Sequence, residues 1–326
     1  MKTGLYALVA ALVVGCGGQS EPANAPPPAA TPEPQAAPPA APVAAAPSEP
    51  AKPPEPKLKL QVFTSSPEGF LVTSSIVTGP TEAVVIDGQF TLADAKKLGE
   101  TVKATGKKLT QVYVTHWHPD HYFGFVALKE TFPEAKLVAL PATIAGIQKT
   151  WQAKVKQWKP IYKDAITDKP VLPEPLAGNS ISVDGEALEV VGGVQGDDAD
   201  NSYVWIPSLN TVVTGDIVFD AVYPWTAETN ADSRKTWTGT LEQIAAKNPK
   251  LVVPGHQKPE RAQDPSNLAF TKDYLKAFDE TVAASKTPAE VQTKIKAKYP
   301  DAALDIILKL GSEAAFKKPA KAAPKK

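Results

Sequence analysis

The chain has 326 residues with 35 basic and 35 acidic side chains, so its formal net charge at neutral pH is zero. A balanced charge gives no general attraction to nucleic acid or to an anionic membrane surface, and we expect no nucleic-acid partner. The composition changes sharply near both ends of the chain, which predicts one folded domain over residues 58–312.

The first residues have the pattern of an export signal. A short positive start precedes an apolar run over residues 5–14, and Val13-Val14-Gly15-Cys16 resembles the cleavage site of a bacterial lipoprotein. The run is about half the roughly 20 residues that a transmembrane helix needs. We expect residues 1–15 to be removed and Cys16, the only cysteine, to carry the lipid. This places the protein on a membrane of the bacterial cell envelope, and Gly17 favours the outer membrane.

The two flanks of the domain differ from it in composition. After Cys16 the segment up to residue 57 is mostly proline and alanine, which predicts a semi-rigid spacer between the lipid and the domain. Residues 313–326 are rich in lysine, alanine and proline and too polar to form a core, so a solvated, disordered tail is expected.

Within the domain, strands and helices alternate in the first half, and a second group of strands and helices follows. The predicted strands cover residues 70–78, 83–86, 112–115, 188–191, 203–206, 212–214 and 251–253. The predicted helices cover residues 92–105, 122–132, 141–158, 234–247, 266–285, 288–298 and 302–310. This pattern indicates the α/β class.

Four candidate metal ligands lie directly after the strand over residues 112–115. They are His116, His118, Asp120 and His121, and they include three of the chain's four histidines. Histidines two residues apart in extended backbone project to one side, and the next two ligands can reach a second point once the chain turns. The spacing therefore predicts a site for two metals.

The segment His116-Trp117-His118-Pro119-Asp120-His121 resembles the His-x-His-x-Asp-His signature of the metallo-β-lactamase superfamily. The resemblance implies an αββα sandwich, a single catalytic domain whose ligands gather on loops at one edge. The family's bridging aspartate matches Asp216 in Thr214-Gly215-Asp216, and its last histidine matches His256 in Pro254-Gly255-His256.

One ligand position departs from the family pattern. The family usually has Gly-His-Thr there, whereas this chain reads Gly196-Asp197-Asp198-Ala199-Asp200-Asn201. Asp197 is the expected ligand if Asp200-Asn201 corresponds to the Asp-Asn pair of some members. Asp198, a water molecule or a lost site are the alternatives.

The resemblance implies a role for each ligand. His116, His118 and Asp197 would hold one divalent metal, Asp120, His121 and His256 the other, and Asp216 would bridge them. A hydroxide between the metals would attack a carbonyl or phosphoryl centre, which makes Asp120 and Asp216 the catalytic candidates. Zinc is the first expectation for both metals, and the additional carboxylate of Asp197 makes Mn²⁺ or Fe²⁺ more competitive.

Aromatic residues near the motifs are candidates for a substrate pocket. They are Trp117, Tyr122, Tyr223 and Trp225, with ordinary core packing as the alternative. Trp151 and Trp158 have helical spacing and are assigned to the core.

The resemblance also bears on the small-molecule substrate. Members that open β-lactams tend to carry Cys or His after the position of Asp216 and a downstream lysine, and residues 217–222 contain none of these. The chain is closer to the glyoxalase-II-like branch, which predicts a hydrolase for esters, thioesters, lactones or related amides. A β-lactamase, a mononuclear iron enzyme resembling the persulfide dioxygenases and a non-catalytic metal-binding lipoprotein are the alternatives.

Overall fold

The computed structural model describes residues 57–259 and 261–317. Its strands are β1 Lys59–Thr64, β2 Thr73–Thr78, β3 Glu82–Ile86, β4 Lys108–Val114, β5 Lys136–Ala139, β6 Glu174–Pro175, β7 Ser180–Val183, β8 Glu186–Val194, β9 Asn201–Ile206, β10 Thr211–Val213, β11 Phe219–Asp220, β12 Leu251–Val253 and β13 His256–Gln257. Its helices are α1 Leu92–Ala104, α2 Phe125–Thr131, α3 Pro141–Tyr162, α4 Ala231–Ala246, α5 Ser266–Ala283, α6 Pro288–Lys298 and α7 Asp305–Ala315. The predicted signal peptide and Cys16 lie outside the described residues.

Two sheets carry most of these strands. The first has the order β1-β2-β3-β4-β5-β6, antiparallel from β1 to β3 and parallel from β3 to β6. The second has the order β12-β10-β9-β8-β7 and is antiparallel except for the parallel pair of β10 and β12. Each parallel pair within these two sheets is joined by a helical crossover, as parallel strands require.

Alternating side chains place the two sheets between two helical layers. Ile76, Val85 and Val112 pack toward α1, α2 and α3, whereas Val77 and Tyr113, which point the other way, pack against the second sheet. The outer face of the second sheet packs against α4 and α5 through a separate buried cluster. The αββα sandwich predicted from the resemblance is confirmed.

The described helices include none that is both long and apolar enough to cross a membrane.

Several predicted boundaries move for local reasons. The strand expected from residue 70 begins at Thr73, because Phe70 and Leu71 have positive φ values of 63° and 56° after a tight turn. The helix expected from residue 122 begins at Phe125, because Pro119–His121 form a 3₁₀ turn. The last helix ends at Ala315, beyond the boundary predicted at residue 312. Strands β1, β5, β6, β11 and β13 were not predicted.

The segment after β10 is held in place by α4. The fully buried Trp237 donates its indole N–H to the carbonyl oxygen of Ile217 at 2.8 Å. Ile217 ends the 3₁₀ turn Gly215–Ile217, which carries Asp216. A helix of the outer layer thus fixes a turn at the sheet edge.

Replacing Trp237 with Phe should lower the free energy of unfolding by about 2 kcal/mol, because the buried carbonyl of Ile217 loses its donor and some packing volume is lost. Urea denaturation followed by circular dichroism measures the change. The same substitution at the half-buried Trp205 is the matched control and should cost less. Equal losses in the two variants would contradict this account.

Candidate metal centre

The predicted ligands come from segments that leave both sheets at one edge. His116 and His118 follow β4 of the first sheet, and Asp197 lies between β8 and β9 of the second. Asp216 follows β10, and His256 begins β13 shortly after β12. Strand ends of two facing sheets therefore bring together side chains that are far apart in the chain.

Three of the ligands form a first donor set. Nε2 of His116 lies 3.1 Å from Nδ1 of His118, and that nitrogen lies 2.8 Å from Oδ2 of Asp197. All three side chains are buried. Asp198 can also contribute an oxygen to this set, because its ligand atom and those of the other three residues all lie within 4.8 Å of one another. Oδ1 of each aspartate accepts a hydrogen bond, in Asp198 from the backbone N–H of Asp200 and in Asp197 from the side chain of Asn201. The distance of 2.8 Å between Oδ2 of Asp197 and His118 is what favours Asp197.

A second donor set lies beside the first. Nε2 of His256 is 3.4 Å from Nε2 of His121 and 3.4 Å from Oδ2 of Asp120. Asp216 lies between the two sets: its Oδ1 is 3.1 Å from Nε2 of His121, and its Oδ2 is 3.1 Å from His256 and 3.7 Å from Nε2 of His116. This is the position that the sequence predicted for a bridging carboxylate.

The chemistry of these donors fits divalent cations. Oδ2 of Asp197 and Oδ1 of Asp216 are buried and have no hydrogen-bond partner of acceptable geometry in the described chain, although histidine nitrogens lie close to both. Nitrogen and oxygen atoms that face one another without hydrogen bonding converge on positions that a cation could occupy. Imidazole and carboxylate groups are the ligands of zinc and related metals.

Each histidine has a partner for the ring nitrogen that faces away from the centre. Nδ1 of His116 is 3.0 Å from Oγ1 of Thr115, and Nδ1 of His121 is 2.9 Å from Oδ2 of Asp87. Nε2 of His118 is 2.7 Å from Oε2 of Glu228, and Nδ1 of His256 is 2.7 Å from the Phe70 carbonyl oxygen. Such outer contacts fix the orientation of metal-binding histidines and raise their basicity.

Two of these outer residues were missed from the sequence. Asp87 was not singled out, although it directly follows β3, whose parallel neighbour β4 leads to the histidines, so adjacency in the sheet was the signal available. Glu228 lies in a loop far from every motif and carried no comparable signal. Its second oxygen, Oε1, accepts from Nζ of Lys154 at 3.1 Å.

The buried histidines differ in their electrostatic surroundings. Burial, reinforced by the neighbouring His121, holds the pKa of His116 well below its ordinary value. Burial alone would lower the pKa of His118 as well. The carboxylates of Asp197 and Glu228 outweigh that effect and hold the pKa of His118 well above its usual range.

The carboxyl groups also differ. Burial would raise the pKa of Asp216, but His256 and His121 hold it well below its usual range. For Asp197, burial prevails and raises the pKa to about 8. With protein groups alone, the ionised form of Asp197 is thus poorly compensated, and a bound cation would supply the missing positive charge.

Two glycines allow the close approach of the segments that carry Asp216 and His256. A Cβ atom at Gly255 would overlap Oδ1 of Asp216 and the backbone of Gly215. Gly215 itself has a φ of 50°, a conformation that other residues rarely adopt. These steric requirements explain why a glycine precedes both Asp216 and His256 in the sequence.

A cleft of about 530 Å³ opens onto the centre and reaches Asp120, Asp216 and His256. Its apolar wall comes mainly from α3, α7 and the loop after β11. The wall includes Phe70, Trp158, Tyr223, Trp225, Leu304 and Ile307. Lys154 and Gln157 add polar groups.

Of the four aromatic residues predicted for a pocket, Tyr223 and Trp225 line the cleft, whereas Trp117 and Tyr122 do not. Trp117 packs against α3 at Gly146 and contacts the ring of His118 edge-on, with 4.4 Å between the ring centres. Tyr122 is fully buried in the core beneath the first sheet. Trp158, assigned to the core, also lines the cleft.

Comparison with known proteins agrees with this geometry. A family model described as the metallo-beta-lactamase superfamily matches residues 67–256, more than half of the chain. The chain belongs to that superfamily. Membership supports a metal-dependent hydrolase in general, and with the His/Asp cluster it supports binding of divalent metals and a small-molecule substrate.

Two curated relatives are proteins called metallo-beta-lactamase type 2. The one from Bacillus sp. (strain 170) is 28% identical over 59% of this chain and 68% of its own, and the one from Bacillus cereus is 27% identical with the same coverage. A solved metallo-beta-lactamase family protein from Thermus thermophilus superposes with a TM-score of 0.58 at 18% identity, covering 80% of this chain and 92% of its own. A metallo-beta-lactamase from Pontibacter korlensis superposes with a TM-score of 0.51 at 21% identity, covering 68% and 95%. These structures share the fold.

Replacing Asp197 with Ala should leave about one metal fewer per chain than in the parent protein, because the first donor set loses its only carboxylate within 3 Å of His118. Elemental analysis of the purified domain gives the metal content. Asp198→Ala is the matched control and should retain the parent's metals. The reverse result would assign the ligand to Asp198, and full retention in both variants would exclude each of them.

Proposed function

We propose that the protein is a hydrolase with two divalent metals that cleaves an ester, thioester, lactone or related amide bond. The observation that carries the proposal is the position of Asp216 between the two donor sets. Its Oδ1 lies 3.1 Å from His121, and its Oδ2 lies 3.1 Å from His256 of the same set and 3.7 Å from His116 of the other. When bound, the metals would supply a water of lowered pKa and polarise the carbonyl of the substrate. Zinc is the first candidate, with Mn²⁺ or Fe²⁺ as the alternatives.

The chain's own residues have distinct parts in this proposal. His116, His118 and Asp197 would hold one metal, and Asp120, His121 and His256 the other. Asp120 is less buried than the other ligands and lies at the floor of the cleft, where it can orient the attacking water or take its proton. The apolar wall holds the substrate and limits the access of bulk water.

A β-lactamase is the second candidate, favoured by the names of the two curated relatives. Against it, residues 217–222 lack the Cys, His or Lys expected of such enzymes. A panel of esters, thioesters, lactones and β-lactams with the metal-loaded protein separates these functions. A protein that holds one iron and consumes oxygen with a thiol substrate would instead be an oxygenase. One that binds less than one metal and hydrolyses nothing would be non-catalytic.

Replacing Asp216 with Ala should lower kcat/KM on the best substrate of the panel by well over a hundredfold, because changes in the outer shell of a metal site alone cost about 10- to 100-fold. Circular dichroism should show that the fold is retained. Asp200→Ala, at an exposed position nearby, is the control and should keep its activity. Undiminished hydrolysis by the Asp216 variant would refute the assignment.

We also propose that Cys16 carries a lipid that anchors the protein to the bacterial envelope, in the outer membrane. The basis is the short apolar run before the Val13-Val14-Gly15-Cys16 segment. Cells expressing the full chain should incorporate labelled palmitate into it and retain it in the membrane fraction, whereas Cys16→Ser should lose both properties. Labelling of the Ser variant would contradict the proposal.

A further inference from the structure

The cleft combines a large apolar wall with a small number of charged groups. Trp225 and Ile307 lie on opposite elements of this wall, the loop after β11 and helix α7. The hydroxyl of Tyr223 already donates to the carbonyl oxygen of Tyr299 at 3.1 Å, so this residue offers the cleft its ring rather than its polar group. The wall thus suits an apolar group about the size of an acyl chain or an aromatic ring.

Apolar character continues outside the cleft on the helices that form its wall. Among the described residues, Ile161 at the end of α3 is 69% exposed and Ile306 in α7 is 44% exposed. Trp158 and Ile307, which line the cleft, belong to the same two helices. Ile161 is three residues from Trp158 and therefore lies on the same side of α3 as this cleft residue.

The lysine of the cleft is already paired. Among the described residues, Lys154 is the one lysine or arginine that lines the cleft, and its Nζ lies 3.1 Å from Oε1 of Glu228 and 4.9 Å from the ring centre of Trp117. Its side chain is only 13% exposed. An anionic group of a substrate would have to displace Glu228, which at the same time contacts His118 at 2.7 Å.

The metal ligands do not provide a surplus of positive charge either. Asp120, Asp197 and Asp216 contribute three carboxylates, so two divalent metals and the hydroxide expected with them would form a neutral centre. The metal centre and the pair of Lys154 with Glu228 would therefore each have a net charge of about zero.

We propose that this cleft selects uncharged esters, thioesters or lactones with an apolar acyl group, and that Glu228 enforces the selection by occupying the ammonium group of Lys154. The proposal rests on the proposed hydrolase function and specifies its substrate class. Glu228 is a specificity-determining residue here, because it acts through Lys154 and does not touch the reacting bond.

Two esters of equal length test the selection. 4-Nitrophenyl hexanoate is uncharged, and the mono-4-nitrophenyl ester of adipic acid has a carboxylate in place of the terminal methyl group. The metal-loaded wild-type protein should favour the hexanoate by about tenfold or more in kcat/KM, since an unpaired carboxylate loses its hydration in the cleft. It should also favour hexanoate over acetate by about fourfold for each added methylene that is buried. Equal rates, or a preference for the adipate ester, would overturn the proposal.

The Glu228→Gln variant tests the role of Glu228. A glutamine can still accept from His118 through its carbonyl oxygen, but its amide nitrogen cannot accept from Lys154. The freed ammonium group should raise the ratio of adipate to hexanoate kcat/KM by about tenfold, the contribution of a charge-assisted hydrogen bond. Lys154→Met and the double variant Glu228→Gln/Lys154→Met are the matched controls and should not gain this shift. A shift that persists in the double variant would exclude Lys154 as its cause.

A binding measurement separates this proposal from the proposed function. The ether 4-nitrophenyl hexyl ether is not hydrolysed, and 6-(4-nitrophenoxy)hexanoate is its anionic counterpart. Quenching of tryptophan fluorescence should give tighter binding of the uncharged ether to the wild type and a relative gain for the anion in Glu228→Gln. If no ester is hydrolysed but this order of binding holds, the hydrolase assignment fails and the selection stands. If the anion binds more tightly to the wild type, the selection fails whatever the activity.

Discussion

The structure depends on the compensation of buried charge around Asp216. Its carboxylate is almost fully buried, and burying an ionised group is costly unless opposite charges and hydrogen-bond donors surround it. His121 and His256 meet its two oxygens at 3.1 Å, and each of these histidines is held from behind by Asp87 or by the carbonyl oxygen of Phe70. The chain thus places two layers of polar contacts around one carboxylate.

The sandwich makes this arrangement possible because it separates packing from chemistry. Alternating apolar side chains such as Ile76 and Val77 fill the layers on both faces of the first sheet. The polar residues are left to the segments beyond the strand ends, where Gly215 and Gly255 let two of these segments approach each other closely. The packed core therefore fixes the positions of the strand ends, and with them the side chains of the site, more firmly than hydrogen bonds within the site would alone.

The residues that the sequence singled out for the site are mostly adjacent to one another or to a glycine. His116, His118, Asp120 and His121 belong to one motif, and short Gly-Asp and Gly-His pairs indicated Asp216 and His256. The structure brings these residues and Asp197 together, although the ligand assignment itself stays a prediction. Alternation of apolar residues likewise predicted most central strands, because each of these strands is buried on both faces or paired on both sides.

What the sequence did not predict depends on contacts between distant segments. Glu228 reaches His118 across 110 positions of the chain, and nothing in its neighbours indicates this. Trp117 and Tyr122 were placed in the pocket because they are close to the motif in sequence, but Trp117 packs against Gly146 of α3 and Tyr122 lies in the core, so neither lines the cleft.

The negative charge of Asp197 bears on the proposed selectivity of the cleft, although Asp197 does not line it. Where the family usually has a neutral histidine, this chain has a carboxylate, whose Oδ1 accepts from the side chain of Asn201 at 3.0 Å. The extra negative charge reduces the net positive charge of a centre with two divalent metals, so the centre attracts anions less strongly. The pairing of Lys154 with Glu228 changes the cleft in the same direction. These two features act in the same direction, and both support the proposal that recognition of the substrate depends on shape and apolar contact more than on charge.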